Sequence, residues 1–444
     1  LISVLFTLLN PFFFGHMGMN SKDIVIFFSL VWFSYYFFLY CTENEKLIKN
    51  LLLASFFLGF GCGVRLTFLI VVFPVVICGL IYLFNKYKSN YSSLAKRLLP
   101  HILITFFITI FFVFLCWPHI FVSIQSDNFF RFLSIIIKNT INWNDGPKIG
   151  ILNGEYYEVF NTPKSYFLYF LIYRIPIFFS ILLIFSYYLI FFKKLKVKDE
   201  IDNFSNKFLI INLIAFFPIF LVIILSANVY DNIRLFLFVI PFFSIIASFS
   251  VNQLLKTYKD SIKNKISIYI ILILFSLSFY RFIALTPYQY TYVNFMYPSF
   301  KETLDKFEHD YWGATYKELV KEMKSKYTIK EVQSFKFADC SGGNSTLLYY
   351  LNRHFGVKRL YNIDERPSKV THIALNNRSF LDIFNNPLLG DLVNKEGFMK
   401  IEDMEKVVRT PGVKTTCFKN YEGEDVVIVS RNGTKLSSIR KLDK

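Results

Sequence analysis

Ile24-Val-Ile-Phe-Phe-Ser-Leu-Val-Trp-Phe-Ser-Tyr-Tyr-Phe-Phe-Leu-Tyr-Cys41 carries no charged side chain and presents apolar groups around the whole of a helix. About 20 such residues cross a bilayer as a helix, because only a helix satisfies its own backbone polar groups in lipid. A soluble core helix keeps a polar stripe, and this segment has none. Runs of the same character recur from Leu1 to Ala284, ending with Ile266 to Phe279. Residues 1–284 therefore read as a polytopic α-helical membrane domain of about eight spans, the first one partial.

Composition agrees with that reading. Hydrophobic residues make up 54% and charged residues 18%, with 55 Phe and 28 Tyr, well beyond an ordinary soluble domain. The formal charge of +17 does not point to nucleic acid, because the Lys and Arg gather in short loops between spans, as in the positive-inside pattern. Membrane lipids are the implied partners. Of the six cysteines, Cys41, Cys62, Cys78 and Cys116 lie in or beside spans without metal-ligand spacing and read as small apolar residues. Cys340 and Cys417 are able to pair if the tail lies in an oxidising compartment.

The lysine-rich loops orient the chain. Lys86, Lys88, Lys96 and Arg97 form one cluster, Lys193, Lys194, Lys196 and Lys198 a second, and Lys256, Lys259, Lys263 and Lys265 a third. With all three cytoplasmic, the outer loops are 118–164, 227–234 and everything after 285. Residues 51–85 then divide into two short spans hinged near Arg65, where Gly59, Gly61 and Gly63 mark close packing or a break. Loop 42–50 falls inside and loop 16–22 outside; a single tilted helix over 51–85 would exchange those two. The expected location is the inner (plasma) membrane, multi-pass, with a periplasmic tail. The chain begins with Leu, and Leu1 to Phe14 is short for a span, so an N-terminally truncated sequence is expected.

Residues 285–444 read as a small extracytoplasmic α/β domain. Asp305 to Lys326 is predicted as an amphipathic helix, and Val332 to Ala338 alternates like a strand. Ser341-Gly-Gly-Asn-Ser345 opens a helix through Phe355. Val357 to Tyr361, Val370 to Leu375 and Asp425 to Ser430 are further strands. Gly342 and Gly343 look like half a phosphate loop, but neither GxGxxG nor GxxxxGK is present.

The candidate reactive groups lie in the outer loops. In Phe14-Gly-His-Met-Gly-Met-Asn-Ser-Lys-Asp23, Lys22 or His16 is suited to a phosphate, with Asp23 orienting Lys22 or a sugar hydroxyl. Alternatively, Asp23 caps the next helix. Arg65, between apolar stretches, either faces a cavity or ligand or snorkels to the interface. Loop 118–164 holds Phe129 to Ile137, a possible interfacial helix, followed by Trp143-Asn-Asp-Gly-Pro147 and Gly154-Glu-Tyr-Tyr-Glu158. Aromatics beside carboxylates, such as Tyr156 beside Glu155, suit sugar binding or an aromatic interfacial belt. Asp231 and Arg234 form either a local ion pair or an arginine fork for a lipid-linked phosphate. Thr286-Pro-Tyr-Gln-Tyr290, Asn294 and Glu308-His-Asp-Tyr-Trp-Gly313 emerge on the same side.

Several of these segments, in order, resemble GT-C membrane glycosyltransferases. The likeness is to the dolichyl-phosphate-mannose–protein mannosyltransferase-like group, family 39, which includes the aminoarabinose transferases. They are Phe14-Gly-His16 with Asn20-Ser-Lys-Asp-Ile24, the glycine-spaced run into Arg65, Trp117-Pro118, Pro163-Lys-Ser-Tyr166 through Arg174-Ile-Pro176, Tyr230-Asp-Asn-Ile-Arg234 with Phe236-Leu-Phe238, Pro287-Tyr-Gln-Tyr290 and Glu308 to Gly313. The family has Pro where Ser21 stands and His where Leu235 stands.

The resemblance implies transfer of a sugar from a polyprenyl-phosphate carrier to a protein, glycan or lipid acceptor at the periplasmic face, generally with inversion. The expected phosphate and donor contacts are His16, Lys22, Arg65 and Arg234, and the expected sugar or acceptor contacts are Asn20, Tyr156, Tyr166, Tyr288, Gln289, Asp310 and Trp312. The family's catalytic carboxylate lies in a first outer loop that precedes Leu1 in this reading. Asp23, Asp231 and Glu155 are the visible candidates. No cofactor is called for beyond the lipid-linked sugar donor, a divalent metal is left open, and no metal ligands are assigned. A flippase for lipid-linked sugars and a membrane-anchored binding or assembly protein are the alternatives. The former is expected to show internal repeats and midplane ionisable groups.

Overall fold

The computed structural model describes the chain apart from residues 118–148, 193–197, 226–227, 257–261, 298–300, 305, 341–343, 362–369, 382–406, 408, 411 and 444. The expected interfacial helix at 129–137, the Trp143–Pro147 segment and the glycine pair at 342–343 lie outside the described residues.

The chain is a polytopic membrane protein. Among the described residues seven helices are long and apolar enough to cross a bilayer, and a bent pair makes an eighth candidate. The N-terminal apolar run is two short helices, α1 (Ile2–Leu8) and α2 (Pro11–Met17). They divide where Asn10 Oδ1 accepts the Phe13 N–H at 3.1 Å and Pro11 takes the first helical position, where its missing N–H costs nothing. Four spans follow: α3 (Asp23–Thr42), α4 (Leu47–Val64), α5 (Phe68–Lys86) and α6 (Tyr91–Cys116). Residues 51–85 thus divide at Arg65, as expected, but each half is a full span of 18 or 19 residues.

Close helix packing explains the glycines before the break. A Cβ at Gly63 would stand 2.6 Å from Cys116 Sγ, so α4 and α6 meet at a distance that only glycine permits. At the opposite end Lys86 Nζ donates to Thr42 O at 3.4 Å, and Arg97 donates to Tyr40 O at 2.8 Å. These contacts hold the lysine-rich ends of α3, α5 and α6 together.

A hairpin of β1 (Ile149–Leu152) and β2 (Glu155–Glu158) lies in the outer region between α6 and the next helices. Its turn is Asn153-Gly154, with φ of 51° and 93°, the left-handed pair that Asn-Gly turns supply. Then come α7 (Tyr166–Tyr173) and α8 (Ile177–Phe192), whose axes bend by 112° at Arg174-Ile-Pro176. Proline at 176 cannot continue the helical ladder. The remaining spans are α9 (Lys198–Leu225), α10 (Ile240–Lys256) and α11 (Ile262–Ala284).

The extracytoplasmic α/β domain follows. Its main sheet has the order β3 (Phe337–Asp339), β4 (His372–Asn376), β8 (Thr434–Leu442), β7 (Gly423–Arg431). β3 and β4 are parallel and the other pairs antiparallel. Helices α12 (Tyr316–Lys326) and α14 (Asn344–Phe355) bring Leu319, Val320, Met323, Leu347 and Leu351 onto Phe337, Val427, Val429 and Ile439. A second, two-stranded sheet joins β5 (Ser379–Leu381) to β6 (Lys414–Thr416), and α15 (Cys417–Asn420) follows it. Cys340 and Cys417 are disulfide-bonded, with Cα atoms 5.8 Å apart.

Three local expectations are corrected. The helix predicted from Asp305 starts only at Tyr316, because the residues before it turn at Gly313 (φ 63°). Of the strand predicted over 332–338, Phe337 and Ala338 are strand in β3, but 332–334 belong to helix α13 (Ile329–Ser334), started by a reciprocal Thr328–Glu331 capping box. Residues 357–361 form no strand, although Tyr361 N–H donates to Phe337 O at 2.7 Å.

Candidate functional site

The outer ends of the spans converge on a cluster of charge. Asp23, the first residue of α3, is buried, and its Oδ1 meets Arg65 Nη1 at 3.0 Å. Its Oδ2 accepts from Asn20 Nδ2 at 2.7 Å and lies 3.7 Å from Arg234 Nε. Asn20 also receives the Asp23 backbone N–H on Oδ1 at 3.0 Å, so Asn20 holds both the side chain and the backbone of Asp23. Arg234 Nη1 reaches Asp231 Oδ2 at 3.1 Å. On the other side of Asp231, Arg378 Nη2 approaches Oδ1 at 3.6 Å. Arg378 lies between β4 and β5 and therefore enters from the extracytoplasmic domain, held by a 2.6 Å bond from Nη1 to Tyr311 O.

The loop carrying Asp231 is held in an uncommon shape. Asp231 and Asn232 are both left-handed, with φ of 55° and 64°. That region costs an L-residue roughly 1–2 kcal/mol, less for Asp and Asn. The turn persists because neighbours hold it: Tyr157 Oη donates to Val229 O at 3.1 Å, Tyr166 Oη to Asn232 O at 2.8 Å, and Val229 N–H to Thr162 Oγ1 at 3.1 Å. The turn sends Arg234 back against Asp231. Its guanidinium sits between Tyr230 and Trp312, 5.2 and 4.8 Å from the ring centroids. Aromatic faces attract a guanidinium and fix its plane.

Among the described residues, three guanidiniums meet two aspartates here. The nearby Glu308 is buried and accepts the Ser379 N–H on Oε1 at 2.8 Å. Burial pushes its carboxyl up; Arg378 pulls it back and Asp231 pushes it up further. Three guanidiniums thus face the carboxylates of Asp23 and Asp231, with Glu308 beside them. Neither Arg234 Nε nor Asp231 Oδ1 has a hydrogen bond. Planar guanidinium forks of this kind suit a phosphate.

The cluster joins Asp23, Arg65, Asp231, Arg234, Asn20 and Trp312 from the sequence-derived set. Asp23 is turned toward arginines, and Lys22 is exposed, so Asp23 does not orient Lys22. His16 is buried, with Nε2 2.9 Å from Tyr311 Oη and its ring edge-on to Trp312. Other expected residues stand apart in role. Glu155 is exposed on β2, where Tyr156 is half-buried. Tyr166 supports the 230–234 turn. Tyr288 donates to Glu318 Oε2 at 2.8 Å, Gln289 to Thr286 Oγ1 at 2.9 Å, and Asp310 accepts the Ala314 N–H at 2.9 Å. These bonds shape the segment that leads into the C-terminal domain. No group of three or more His, Cys, Asp or Glu among the described residues is arranged to hold a metal ion.

Arg378 and Glu308 were not among the site residues read from the sequence. Arg378 carries no local signal, since Asn376-Asn-Arg-Ser379 reads as an ordinary polar turn. Glu308 is marked only by its place in Glu308-His-Asp-Tyr-Trp-Gly313. Comparison with protein-family models, with curated proteins and with solved structures returned no match to this chain.

Proposed function

We propose that this membrane protein transfers a sugar from a polyprenyl-phosphate carrier to an acceptor at the outer membrane face. The observation that carries the reading is the meeting of Arg65, Arg234 and Arg378 on Asp23 and Asp231 at the outer ends of the spans. A polyprenyl-phosphate sugar is a phosphodiester with one negative charge, a group that guanidinium forks bind well. When the bond from sugar C1 to the phosphate oxygen breaks, the leaving phosphate gains a second charge and the acceptor hydroxyl gives up its proton to a base. Preorganised arginines then bind the departing group more tightly than the donor, which lowers the barrier. Asp23 and Asp231 serve to orient the arginines they pair with. The ordered resemblance of the outer segments to family 39 transferases supports the same reading. It also supports inversion at C1.

The test is a transfer assay in nanodiscs with a panel of polyprenyl-phosphate sugars, comparing the wild-type chain with Arg234→Ala and Asp23→Ala. Losing preorganised charge stabilisation lowers turnover about 100-fold or more. Unchanged transfer in both variants would sink the site assignment. Absence of transfer with every donor, given a folded protein and a supplied acceptor extract, would sink the enzyme reading.

A further inference from the structure

All four side chains of the turn Asn376-Asn-Arg-Ser379 dock on the segment from Leu304 to Tyr311. Asn376 Nδ2 donates to Asp310 O at 2.6 Å, and Asn377 Nδ2 to Leu304 O at 2.7 Å and Phe307 O at 2.8 Å. Arg378 Nη1 donates to Tyr311 O, and Ser379 Oγ to Glu308 Oε1. The backbone of the turn is held by two cysteines. Cys340 N–H donates to Ala374 O at 3.1 Å and Cys417 N–H to Arg378 O at 3.2 Å, so the pair brackets the stretch that carries Arg378 into the charge cluster.

The two cysteines come from different sheets. Cys340 directly follows β3 in the main sheet, and Cys417 directly follows β6 in the two-stranded sheet. β5 and β6 pair over only three residues each, and an isolated two-stranded ladder is marginal at best. Arg440 of β8 holds α15 to the main sheet, its Nη1 donating to Phe418 O at 3.1 Å. The start of α15 is held by the Cys340–Cys417 bond. A covalent link restricts the locally opened chain and thereby favours the closed arrangement. Arg378 Nη2 stands 3.6 Å from Asp231 Oδ1, so a small shift of its backbone is enough to part them.

We propose that the Cys340–Cys417 disulfide positions Arg378, so that the outer charge cluster is complete only while the pair is oxidised. The inference rests on the phosphate reading of that cluster and adds a redox condition to it. Exchange with a dithiol reverses the state: the dithiol gives two electrons and two protons to the cysteines and closes into its own disulfide. Cys417 is fully buried and Cys340 only partly so, which makes Cys340 the sulfur open to attack. The other four cysteines are free thiols already, so a reductant changes the chain at this pair alone.

The experiment measures binding of a polyprenyl phosphate to the full chain in nanodiscs, oxidised and after reduction by dithiothreitol. It compares wild type, Arg378→Gln and Arg234→Ala, with alkylation and mass confirming the two new thiols. Reduction is expected to weaken wild-type binding roughly tenfold, as for loss of one charge-assisted contact, and reoxidation to restore it. In Arg378→Gln, reduction is expected to cause no further loss, because groups acting through one contact are not additive. A bond that merely stabilised the fold would weaken both proteins alike. Hydrogen exchange in the same samples is expected to show the amides of Ser379 and Cys417 losing protection on reduction while β7 and β8 stay protected. Unchanged affinity on reduction, an equal further loss in Arg378→Gln, or loss of all protection in β7 and β8 overturns the positioning role. No binding to the oxidised wild type, or binding indifferent to Arg234→Ala, overturns the phosphate reading instead. Exchange at Ser379 and Cys417 then still decides whether the disulfide holds the turn.

Discussion

Replacing Arg174 by Met is expected to release the start of the C-terminal domain from the membrane bundle while the spans stay folded. The side chain of Arg174 is completely buried at the bend between α7 and α8. Nη1 donates to Thr291 O at 3.0 Å and Tyr292 O at 2.9 Å, and Nη2 donates to Glu308 O at 2.7 Å. The guanidinium also lies 5.4 Å from the Phe307 ring centroid. Methionine keeps much of the volume and removes every donor. Thr291 O retains a weaker contact with His309 Nδ1 at 3.3 Å, and Glu308 O a marginal one with Asn232 Nδ2 at 3.5 Å; the donors to Tyr292 O are lost with the guanidinium.

An orphaned buried carbonyl costs about 1–3 kcal/mol, and weakened bonds at the other two add to it. Losing a buried, charged donor relieves some desolvation. The net is roughly 2–4 kcal/mol, or about 30- to 900-fold more frequent opening of the 286–310 segment. Hydrogen exchange in nanodiscs reads this directly, as faster exchange at Thr291 to Tyr297 and at Phe307 with unchanged protection in α3 and α4. Wild-type exchange at those amides would refute the reasoning, because it would mean that the three bonds contribute nothing net. Arg174→Lys, with fewer donors, is expected to fall between.

Four further outcomes follow from the geometry. Gly15→Ala places a methyl 2.1 Å from Tyr290 N, and overpacking against backbone costs about 1–3 kcal/mol, seen as a lowered midpoint in thermal unfolding. Arg378→Gln is expected to weaken binding of a polyprenyl phosphate by roughly 10- to 150-fold, less than Arg234→Ala does, since Arg378 stands 3.6 Å from Asp231 and loss of one charge-assisted contact is worth about 1.5–3 kcal/mol. Cys340→Ser opens a 77-residue loop and is expected to cost about 2–5 kcal/mol, measured by protease resistance of the C-terminal domain. For Asp425, burial raises the carboxyl, but hydrogen bonds from Arg440 and Lys435 outweigh it and hold it below the ordinary 3.8. Its folded-state value is thus depressed, so its contribution to stability is full above that ordinary value and is lost as pH falls through the lower folded one. Asp425→Asn should flatten this acid limb of the domain's unfolding curve, and an unchanged limb would reject the assignment.

The membrane architecture was legible because a span is a local fact, written in runs such as Ile24 to Cys41. Arg65 was legible too, as a charge with no place inside lipid. The hairpin of β7 and β8 was also written locally, in Asn432-Gly433 with φ of 50° and 79°, although β8 was not anticipated. Over 329–334 two local signals disagree: Val332 begins an alternating pattern, while Thr328 and Glu331 form a capping box, and the reciprocal bonds decide for helix. Arg378 was not legible. Its importance arises from meeting Asp231 across domains, and no periodicity or turn chemistry near residue 378 records that meeting.

The entry of Arg378 into the cluster also bears on biogenesis. At about 5–20 residues per second of synthesis, position 378 follows position 234 by something on the order of ten seconds. During that interval Asp231 and Arg234 are present without the third arginine, and Arg378 cannot arrive until α11 is inserted and the tail is translocated and folded. The outer site is therefore finished last, from the far side of the membrane, and a nascent chain stalled before export of its tail holds an incomplete pocket. Quality control that senses the tail's folding would, by the same contact, report on the completeness of the site.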